Sequence, residues 1–122
     1  MEYEKVHDSG ERRKAKTGAV RDRQHGKGRF DLISPFAMKR LAKHYENGAV
    51  KYSERNWEKG MPLSWFLDSA IRHINEYLIY RIIGKKPDED HISASTWNLF
   101  AFIHIEEMIS EGLLPAELDD LP

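Results

Sequence analysis

The fold is decided by residues 63–83, LSWFLDSAIRHINEYLIYRII. On a helical wheel at about 100° per residue, polar side chains of this stretch gather in one sector and apolar side chains occupy nearly all the rest. Ser64 is the predicted N-cap and Gly84 the predicted C-terminal stop. A helix that is apolar on almost every side is covered by its neighbours, so this stretch is predicted to be the central helix. Its polar sector consists of Asp68, Ser69, Arg72, Asn75 and Glu76.

One further helix is predicted on each side of this central helix. The first covers about residues 34–47, where Pro35 suits the first helical position and Gly48 supplies a stop. The other covers about residues 91–110 and is closed by Gly112. No stretch shows the period-two alternation of a strand. The chain is therefore predicted to be all-α, a small helical bundle of three main helices.

The chain is predicted to have three parts. Residues 1–28 are rich in Lys, Arg and Gly and almost lack large apolar side chains, so we expect an irregular, flexible basic arm. Residues 29–112 form the helical domain, and residues 113–122 form an acidic tail whose leucines dock onto the core or a partner. Because three helices leave much of the apolar central helix uncovered, we expect homo-oligomerisation, as a dimer or tetramer, to complete the bundle.

The composition excludes several classes of protein. A chain of 122 residues with a formal net charge of −1 is expected to be one domain without the global field that attracts duplex nucleic acid or a membrane. No apolar run approaches the roughly 20 residues of a membrane helix. Because cysteine is absent, disulfides and thiolate metal sites are excluded, and any metal must use oxygen or imidazole ligands. The lack of cysteine suits a reducing cytoplasm.

Three polar side chains are predicted to face the interior. His73 falls outside the polar sector of the central helix, among aromatic side chains. On the third helix His91 and Asn98 share one stripe, which Phe102 and Ile105 direct toward the core. Buried polar groups need partners. Each histidine could be an ordinary hydrogen-bonded core residue, whereas a metal or a phosphate would satisfy all three groups.

The acidic run Asp88-Glu89-Asp90 immediately precedes the third helix. Carboxylates at this position cap free amides and oppose the helix dipole. The alternative is that a carboxylate beside His91 supplies the oxygen ligand that Mg²⁺ or Mn²⁺ prefers.

The segment between the first two helices mixes cations with aromatic side chains. Lys51, Arg55 and Lys59 recur at four-residue intervals, and Tyr52 and Trp57 lie near them in sequence. Cations suit the phosphates of a nucleotide and flat aromatic rings suit its base, so the pattern is consistent with nucleotide binding. The alternative is a solvated charged face with an aromatic residue that anchors the loop.

Several short motifs follow one another in order along residues 17–110. They are Thr17-Gly18-Ala19, Lys27-Gly28-Arg29-Phe30-Asp31-Leu32-Ile33, Gly48-Ala49-Val50-Lys51-Tyr52, Arg55-Asn56-Trp57-Glu58-Lys59-Gly60, Ala70-Ile71-Arg72-His73, Glu89-Asp90-His91 and Trp97-Asn98. In this order and spacing they resemble the N-terminal-domain family named for dATP/dGTP diphosphohydrolase, which is common in phage genomes.

The resemblance implies a relationship to the MazG-like all-α nucleotide pyrophosphohydrolases. In those enzymes bundled helices hold a divalent metal, and water attacks the α-phosphorus to release pyrophosphate and a nucleoside monophosphate. The chain lacks the Glu-x-x-Glu and Glu-x-x-Asp helices that hold the metal in typical MazG proteins, so its metal would depend more on substrate phosphates and on Lys51, Arg55 and Arg72. A phage-encoded member would act in the host-cell cytoplasm.

The resulting hypothesis is a Mg²⁺- or Mn²⁺-dependent pyrophosphohydrolase that converts dATP or dGTP to the monophosphate. The alternatives are a non-catalytic nucleotide-binding protein that sequesters its ligand and a small protein-interaction factor. The predicted catalytic residues are His73, Asp90, His91 and Asn98. The predicted nucleotide-binding residues are Lys51, Tyr52, Arg55, Asn56, Trp57 and Arg72. The predicted metal ligands are His73, Glu76, Asp90 and His91.

Overall fold

A computed structural model describes residues 5–122, which fall into two compact units divided between Ser34 and Pro35. The first unit contains a short antiparallel hairpin in which β1 (Arg12–Lys14) pairs with β2 (Val20–Asp22). A 3₁₀ turn follows at Phe30–Leu32.

The hairpin corrects the expectation that the chain has no strand. Each of its strands has only three residues, which is too few for an alternation of apolar and polar side chains to show. Polar contacts hold it together instead, since the Asp22 carboxylate accepts hydrogen bonds from the backbone and hydroxyl of Ser9. The predicted flexibility of residues 1–28 stays a prediction, and its first four residues lie outside the described part of the chain.

The second unit is all-α, as predicted. Its three main helices are α1 (Pro35–Tyr52), α2 (Leu63–Ile83) and α3 (His91–Ser110). Single 3₁₀ turns occur at Asn56–Lys59 and Ala116–Leu118. α2 packs mainly against α3, and α1 packs against α3. Among residues 5–122, no helix has both the length and the apolar character needed to cross a membrane.

The predicted bounds of α2 and α3 are confirmed, whereas the predicted end of α1 is wrong. α2 ends at Gly84, which adopts a left-handed φ of 70°, and Asp90 caps the start of α3 through a hydrogen bond from the Ser93 amide. α1 continues through Gly48 to Tyr52 because this glycine does not adopt a positive φ. The left-handed residue that follows the helix is Ser53, with a φ of 104°.

The N-cap predicted for α2 is also wrong. Ser64 lies inside the first turn, and Pro62 occupies the cap position without a side-chain hydrogen bond. The free amide of Ser64 donates instead to Asp120 at 2.9 Å, and its hydroxyl donates to the other carboxylate oxygen at 2.5 Å. A carboxylate from the C-terminal tail therefore caps α2 and favours its positive dipole end.

The core lies between α2 and α3. Its fully buried members are Leu63, Phe66, Ala101 and Ile105, and burying each large apolar side chain contributes about 1.5–3 kcal/mol. Partly buried side chains surround them: Trp57, Met61, Trp97, Phe102, Ile109, Leu114, Leu118 and Leu121.

The tail packs closely against Gly60. This residue has a φ of 99°, and a Cβ placed on it would come within 2.8 Å of Leu118 and 3.3 Å of Leu114. Only glycine combines this backbone conformation with such close approach. Leu114 and Leu118 thus dock onto the core and support the segment that follows α1. Leu113 does not take part, since it is 69% exposed.

A long apolar surface remains open on α2 and α3. Along α2 the exposed residues recur at helical spacing, and α3 adds a second row. The two rows are Ile71, Ile74, Leu78 and Ile82 on α2, and Ile92, Leu99 and Ile103 on α3.

Candidate metal and nucleotide site

Two histidines from neighbouring helices meet inside the second unit. His73 on α2 and His91 at the start of α3 are 9% and 5% exposed, and their Nδ1 atoms lie 2.9 Å apart. Glu89 places Oε1 at 3.2 Å from the Nδ1 of His73 and 3.5 Å from the Nδ1 of His91. We call these three residues the donor cluster.

The spacing of the donor cluster fits a metal ion. Ligand atoms held about 2.1 Å from one ion lie about 3.0–3.4 Å from one another in octahedral or tetrahedral geometry. The three donor atoms lie at 2.9, 3.2 and 3.5 Å from one another. Among the described residues, this is the group of histidine and acidic side chains whose ligand atoms converge closely enough to hold an ion. Two imidazoles and one carboxylate are donors that suit Mn²⁺ and later transition metals better than Mg²⁺.

Asp88 fixes the orientation of His91. Its carboxylate lies 2.7 Å from His91 Nε2, so this nitrogen carries the hydrogen and Nδ1 keeps a lone pair that faces the cluster. Tyr80 stacks on the His91 ring, with 5.9 Å between centroids. A carboxylate that receives the outer N–H of a histidine is the usual support of a metal-ligating imidazole.

Burial keeps His73 uncharged. It lowers the pKa of His73 below that of an ordinary histidine, although Glu89 opposes the shift. Burial also lowers the pKa of His44, which packs on Trp97 with 5.7 Å between ring centroids. Both imidazoles are therefore neutral at neutral pH, and a neutral imidazole is the form that binds metal.

Asp90 is occupied by other contacts. It forms a bidentate ion pair with Arg40 on α1, at 2.6 and 2.9 Å, and also accepts the amide and hydroxyl of Ser93. The Arg40 guanidinium holds the pKa of the Asp90 carboxyl well below its usual range. Asp90 therefore links α1 to the start of α3 directly beside the donor cluster.

A polar pocket of about 420 Å³ opens beside the donor cluster. We call it the cationic pocket, because it is lined by Arg40, Lys43, His44, Asn47, Gly48, Lys51, Tyr52, Ser69, Arg72, His73, Glu89, Asp90, Ser93 and Asn98. Asn98 is 5% exposed and donates to Ser69 at 3.2 Å, and Arg72 donates to the same hydroxyl at 3.2 Å. Asn98 on α3 and Arg72 on α2 therefore share the Ser69 hydroxyl as an acceptor at the pocket wall.

A second pocket, with a volume of about 390 Å³, shares Gly48 and Tyr52 with the cationic pocket. Its rings pack edge to face, with centroids 6.2 Å apart for Tyr45 and Trp57 and 6.3 Å for Trp57 and Trp97. We call it the aromatic pocket. It is lined by Tyr45, Gly48, Ala49, Tyr52, Ser53, Glu54, Arg55, Asn56, Trp57, Glu58 and Trp97.

Backbone strain is concentrated in one wall of the aromatic pocket. Ser53 and Arg55 have φ angles of 104° and 58°, which side chains other than glycine rarely adopt. Among the described residues they are the non-glycine residues with positive φ. Such strain costs about 1–3 kcal/mol per residue and is most common at binding sites.

The predicted site residues fall into separate places. His73 and His91 belong to the donor cluster, Lys51, Arg72 and Asn98 line the cationic pocket, and Arg55, Asn56 and Trp57 line the aromatic pocket. Tyr52 lines both pockets. Glu76 lines neither of these pockets and is not part of the donor cluster, and Asp90 is paired with Arg40.

Several residues that the structure brings to the site carry no role predicted from the sequence, among them Glu89, Tyr45, Trp97 and His44. Glu89 stood in the acidic run before α3, where it could not be separated from a capping role. Tyr45 lies on the predicted first helix, and Trp97 stands beside Asn98 in a motif without an assigned role. His44 lies beside Tyr45 on the same helix, and no motif contains it.

Comparison with known proteins identifies one family. Residues 17–112 match the family described as dATP/dGTP diphosphohydrolase, N-terminal. The matched range contains the donor cluster and the lining of both pockets. No curated protein and no solved structure is significantly similar to the chain.

Proposed function

The chain belongs to the dATP/dGTP diphosphohydrolase N-terminal family, and we propose that it hydrolyses a purine deoxynucleoside triphosphate to the monophosphate and pyrophosphate. One observation carries the proposal: the donor cluster of His73, Glu89 and His91 lies at the wall of a pocket lined by cations. The reaction consumes one water, whose oxygen forms the new bond to the α-phosphorus as the bond to the leaving pyrophosphate breaks.

The donor cluster is the proposed metal site. His73, His91 and Glu89 would hold the ion, with Asp88 orienting His91 through its outer nitrogen. When bound, a divalent ion supplies a Lewis acid for phosphate oxygens and lowers the pKa of a bound water. Because two of the three donors are imidazoles, we propose Mn²⁺ ahead of Mg²⁺.

The cationic pocket is the proposed phosphate site. Arg72 and Lys51 present positive groups to it, and Arg72 donates to the Ser69 hydroxyl, which also accepts from Asn98. A guanidinium donates two parallel hydrogen bonds to phosphate oxygens. Arg40 contributes less, because its charge is already matched by Asp90.

The aromatic pocket is the proposed base site. A purine would stack on its rings, and base–aromatic stacking contributes about 1–3 kcal/mol per base. Glu54, Asn56 and Glu58 line the same pocket and offer polar atoms to the edge of a base. Tyr52 lies between the two pockets, with Lys51 Nζ at 4.9 Å from the centre of its ring.

Turnover with defined nucleotides tests this function. The protein is incubated with each of the four deoxynucleoside triphosphates and Mn²⁺ or Mg²⁺, and products are separated by ion-exchange chromatography. We expect purine monophosphate and pyrophosphate from dATP or dGTP, and roughly 100-fold or greater loss of turnover in His91→Ala. The matched control is His25→Ala, an exposed histidine of the first unit. An inactive wild-type protein would refute the enzyme proposal.

Nucleotide binding without hydrolysis is the second candidate. One observation favours it: the donor cluster holds a single carboxylate, because the carboxylate of Asp90 is engaged by Arg40 and Ser93. A thermal shift with dATP or dGTP but no product from any nucleotide would establish this candidate.

The exposed apolar rows of α2 and α3 support a homo-oligomer, a dimer or tetramer. Leu78 and Ile82 are 51% and 83% exposed, and several large apolar side chains exposed along one helix face are typical of protein interfaces. A second copy of the same α2–α3 pair would cover it and complete a bundle through a two-fold interface. The cytoplasmic location expected from the sequence stays a prediction.

A further inference from the structure

Gly48 lies inside the C-terminal part of α1 without a structural reason for being glycine. The helix runs four residues past it, and its φ is not positive, so it does not serve as a left-handed cap. A glycine inside a helix destabilises it relative to alanine. Close packing is the other common explanation, and it does not apply, because a Cβ on Gly48 would meet no atom within 4 Å outside the helix backbone.

The two pockets meet at Gly48. It is half-buried and lines both of them, as does Tyr52 one turn later. Each of the other α1 residues at the site lines one of these two pockets. Tyr45 and Ala49 line the aromatic pocket, and the residues that line the cationic pocket are Arg40, Lys43, His44, Asn47 and Lys51.

Neighbouring residues of α3 also line different pockets. The consecutive residues Trp97 and Asn98 line the aromatic and the cationic pocket respectively. The boundary between the aromatic and the cationic pocket therefore passes between two helices at Gly48 and Tyr52, and Gly48 is the one position of α1 that carries no side chain.

We propose that Gly48 is the crossing point at which a single nucleoside phosphate spans both pockets. The base would lie among the rings of Trp57 and Trp97, the phosphates would lie at Lys51 and Arg72, and the sugar would pass over the Cα of Gly48. The inference rests on the proposed function and adds its geometry: the ligand is a nucleoside joined to phosphate, rather than a free base or inorganic phosphate held in one pocket.

A side chain at position 48 is therefore expected to reduce ligand affinity while the fold stays intact. Alanine fits the free protein, because its Cβ meets nothing, and it removes the flexibility of glycine from the helix. The same Cβ would occupy the space through which the sugar passes. Gly48→Ala is thus expected to stabilise the protein and to lower its affinity for the nucleoside phosphate. Gly48→Leu is expected to prevent the ligand from spanning both pockets.

Calorimetric titration tests the crossing point. The protein is titrated, in the presence of Mn²⁺, with an α,β-imido analogue of dATP or dGTP that resists cleavage. Inorganic pyrophosphate is the second probe, because it needs only the cationic pocket. We expect Gly48→Ala to raise the melting temperature by roughly 3–6 °C. We expect the Kd of the analogue to rise about 10-fold in Gly48→Ala and about 100-fold in Gly48→Leu, with the Kd of pyrophosphate within about 2-fold of wild type.

The matched control is Val50→Ala, which also improves helix propensity on α1 but is 87% exposed and lines neither pocket. Wild-type affinity for the analogue in both Gly48 variants would overturn the crossing point and leave the proposed function standing. Equal loss of analogue and pyrophosphate would also overturn it, because a crossing affects only the longer ligand. A wild-type protein that binds neither probe would overturn the proposed function as well.

Discussion

His73 and His91 face each other through like atoms, with 2.9 Å between their Nδ1 nitrogens. Two nitrogens at this distance cannot both carry a hydrogen. Because Asp88 receives the Nε2 hydrogen of His91, the Nδ1 of His91 is an acceptor. With no ion bound, the Nδ1 hydrogen of neutral His73 fills this contact by donating to His91. A cation bound by both Nδ1 atoms and Glu89 would take the place of that hydrogen, which would then reside on Nε2 of His73.

Asp88→Asn tests the support of this pair. A neutral amide holds the outer nitrogen of His91 less firmly and makes the ring less basic, so we expect Mn²⁺ affinity to fall about 10–100-fold. Isothermal titration of the protein with Mn²⁺ measures the change. Asp68→Asn, an exposed carboxylate on α2, is the matched control. Unchanged Mn²⁺ affinity in Asp88→Asn would show that this contact does not support a metal ligand.

Arg72→Ala tests the phosphate site. Removing a charged hydrogen-bond donor costs about 1.5–3 kcal/mol, so the Kd of a non-hydrolysable nucleotide should rise about 10–100-fold. The metal affinity should not change, because Arg72 is not a member of the donor cluster. Arg81→Ala is the control, since this arginine lies on the last turn of α2 and lines neither pocket. Equal effects of the two variants would argue against a specific phosphate contact.

Tyr52→Ala tests the base site. Tyr52 is 61% exposed, so its removal should leave the fold intact while losing stacking worth about 1–3 kcal/mol. We expect nucleotide affinity to fall about 5–150-fold and pyrophosphate affinity to stay close to wild type. Trp65→Ala, a 62% exposed aromatic on α2 outside both pockets, is the control. Loss of pyrophosphate binding as well would place Tyr52 in the phosphate site.

Asp120→Asn tests the cap that the tail places on α2. Hydrogen bonds from Ser64 lower the pKa of the Asp120 carboxyl, so this contact stabilises the fold above pH 3.8 and is lost as pH falls through the lowered value. At pH 7 the variant should melt a few degrees below wild type, and the gap should narrow below pH 3.8 and close as the pH passes through the lowered pKa of Asp120. Thermal denaturation from pH 3 to 7 measures this, with Glu117→Gln as the control. A gap that persists unchanged at pH 3 would contradict the role of the charge.

Leu78→Glu combined with Ile82→Glu tests the apolar rows. If a second copy covers them, two buried carboxylates would abolish association, and light scattering should report a monomer of 14.3 kDa. Wild type should report twice or four times that mass. Val50→Glu places the same charge on an exposed position of α1 and should keep the wild-type mass. A monomeric wild-type protein would refute the oligomer.

Local signals made most of the fold predictable. Gly84 ends α2 by adopting a left-handed conformation, and this preference is a property of glycine itself. Gly48 misled the prediction because the same residue type also occurs in helical conformation, and only tertiary structure decides between the two. Ser64 was misassigned for a related reason, since its partner Asp120 lies 56 residues away.

The location of the site was easier to predict than the identity of the residues that form it. Periodicity directed His91 and Asn98 inward, and the structure buries both. Glu89 could not be chosen over Asp90, because the choice depends on Arg40, which arrives from α1 and takes the Asp90 carboxylate. Which of two adjacent carboxylates stays available is decided by a contact across 50 residues, and no local pattern contains it.

The contact of Leu114 and Leu118 with Gly60 has a consequence for biosynthesis. The segment that carries Trp57 into the aromatic pocket is supported by side chains more than 50 residues further along the chain. A ribosome therefore releases all three main helices before it releases the residues that secure this wall. The bundle therefore acquires its packing around Gly60 only after Leu114 and Leu118 have been synthesised, later than all three main helices.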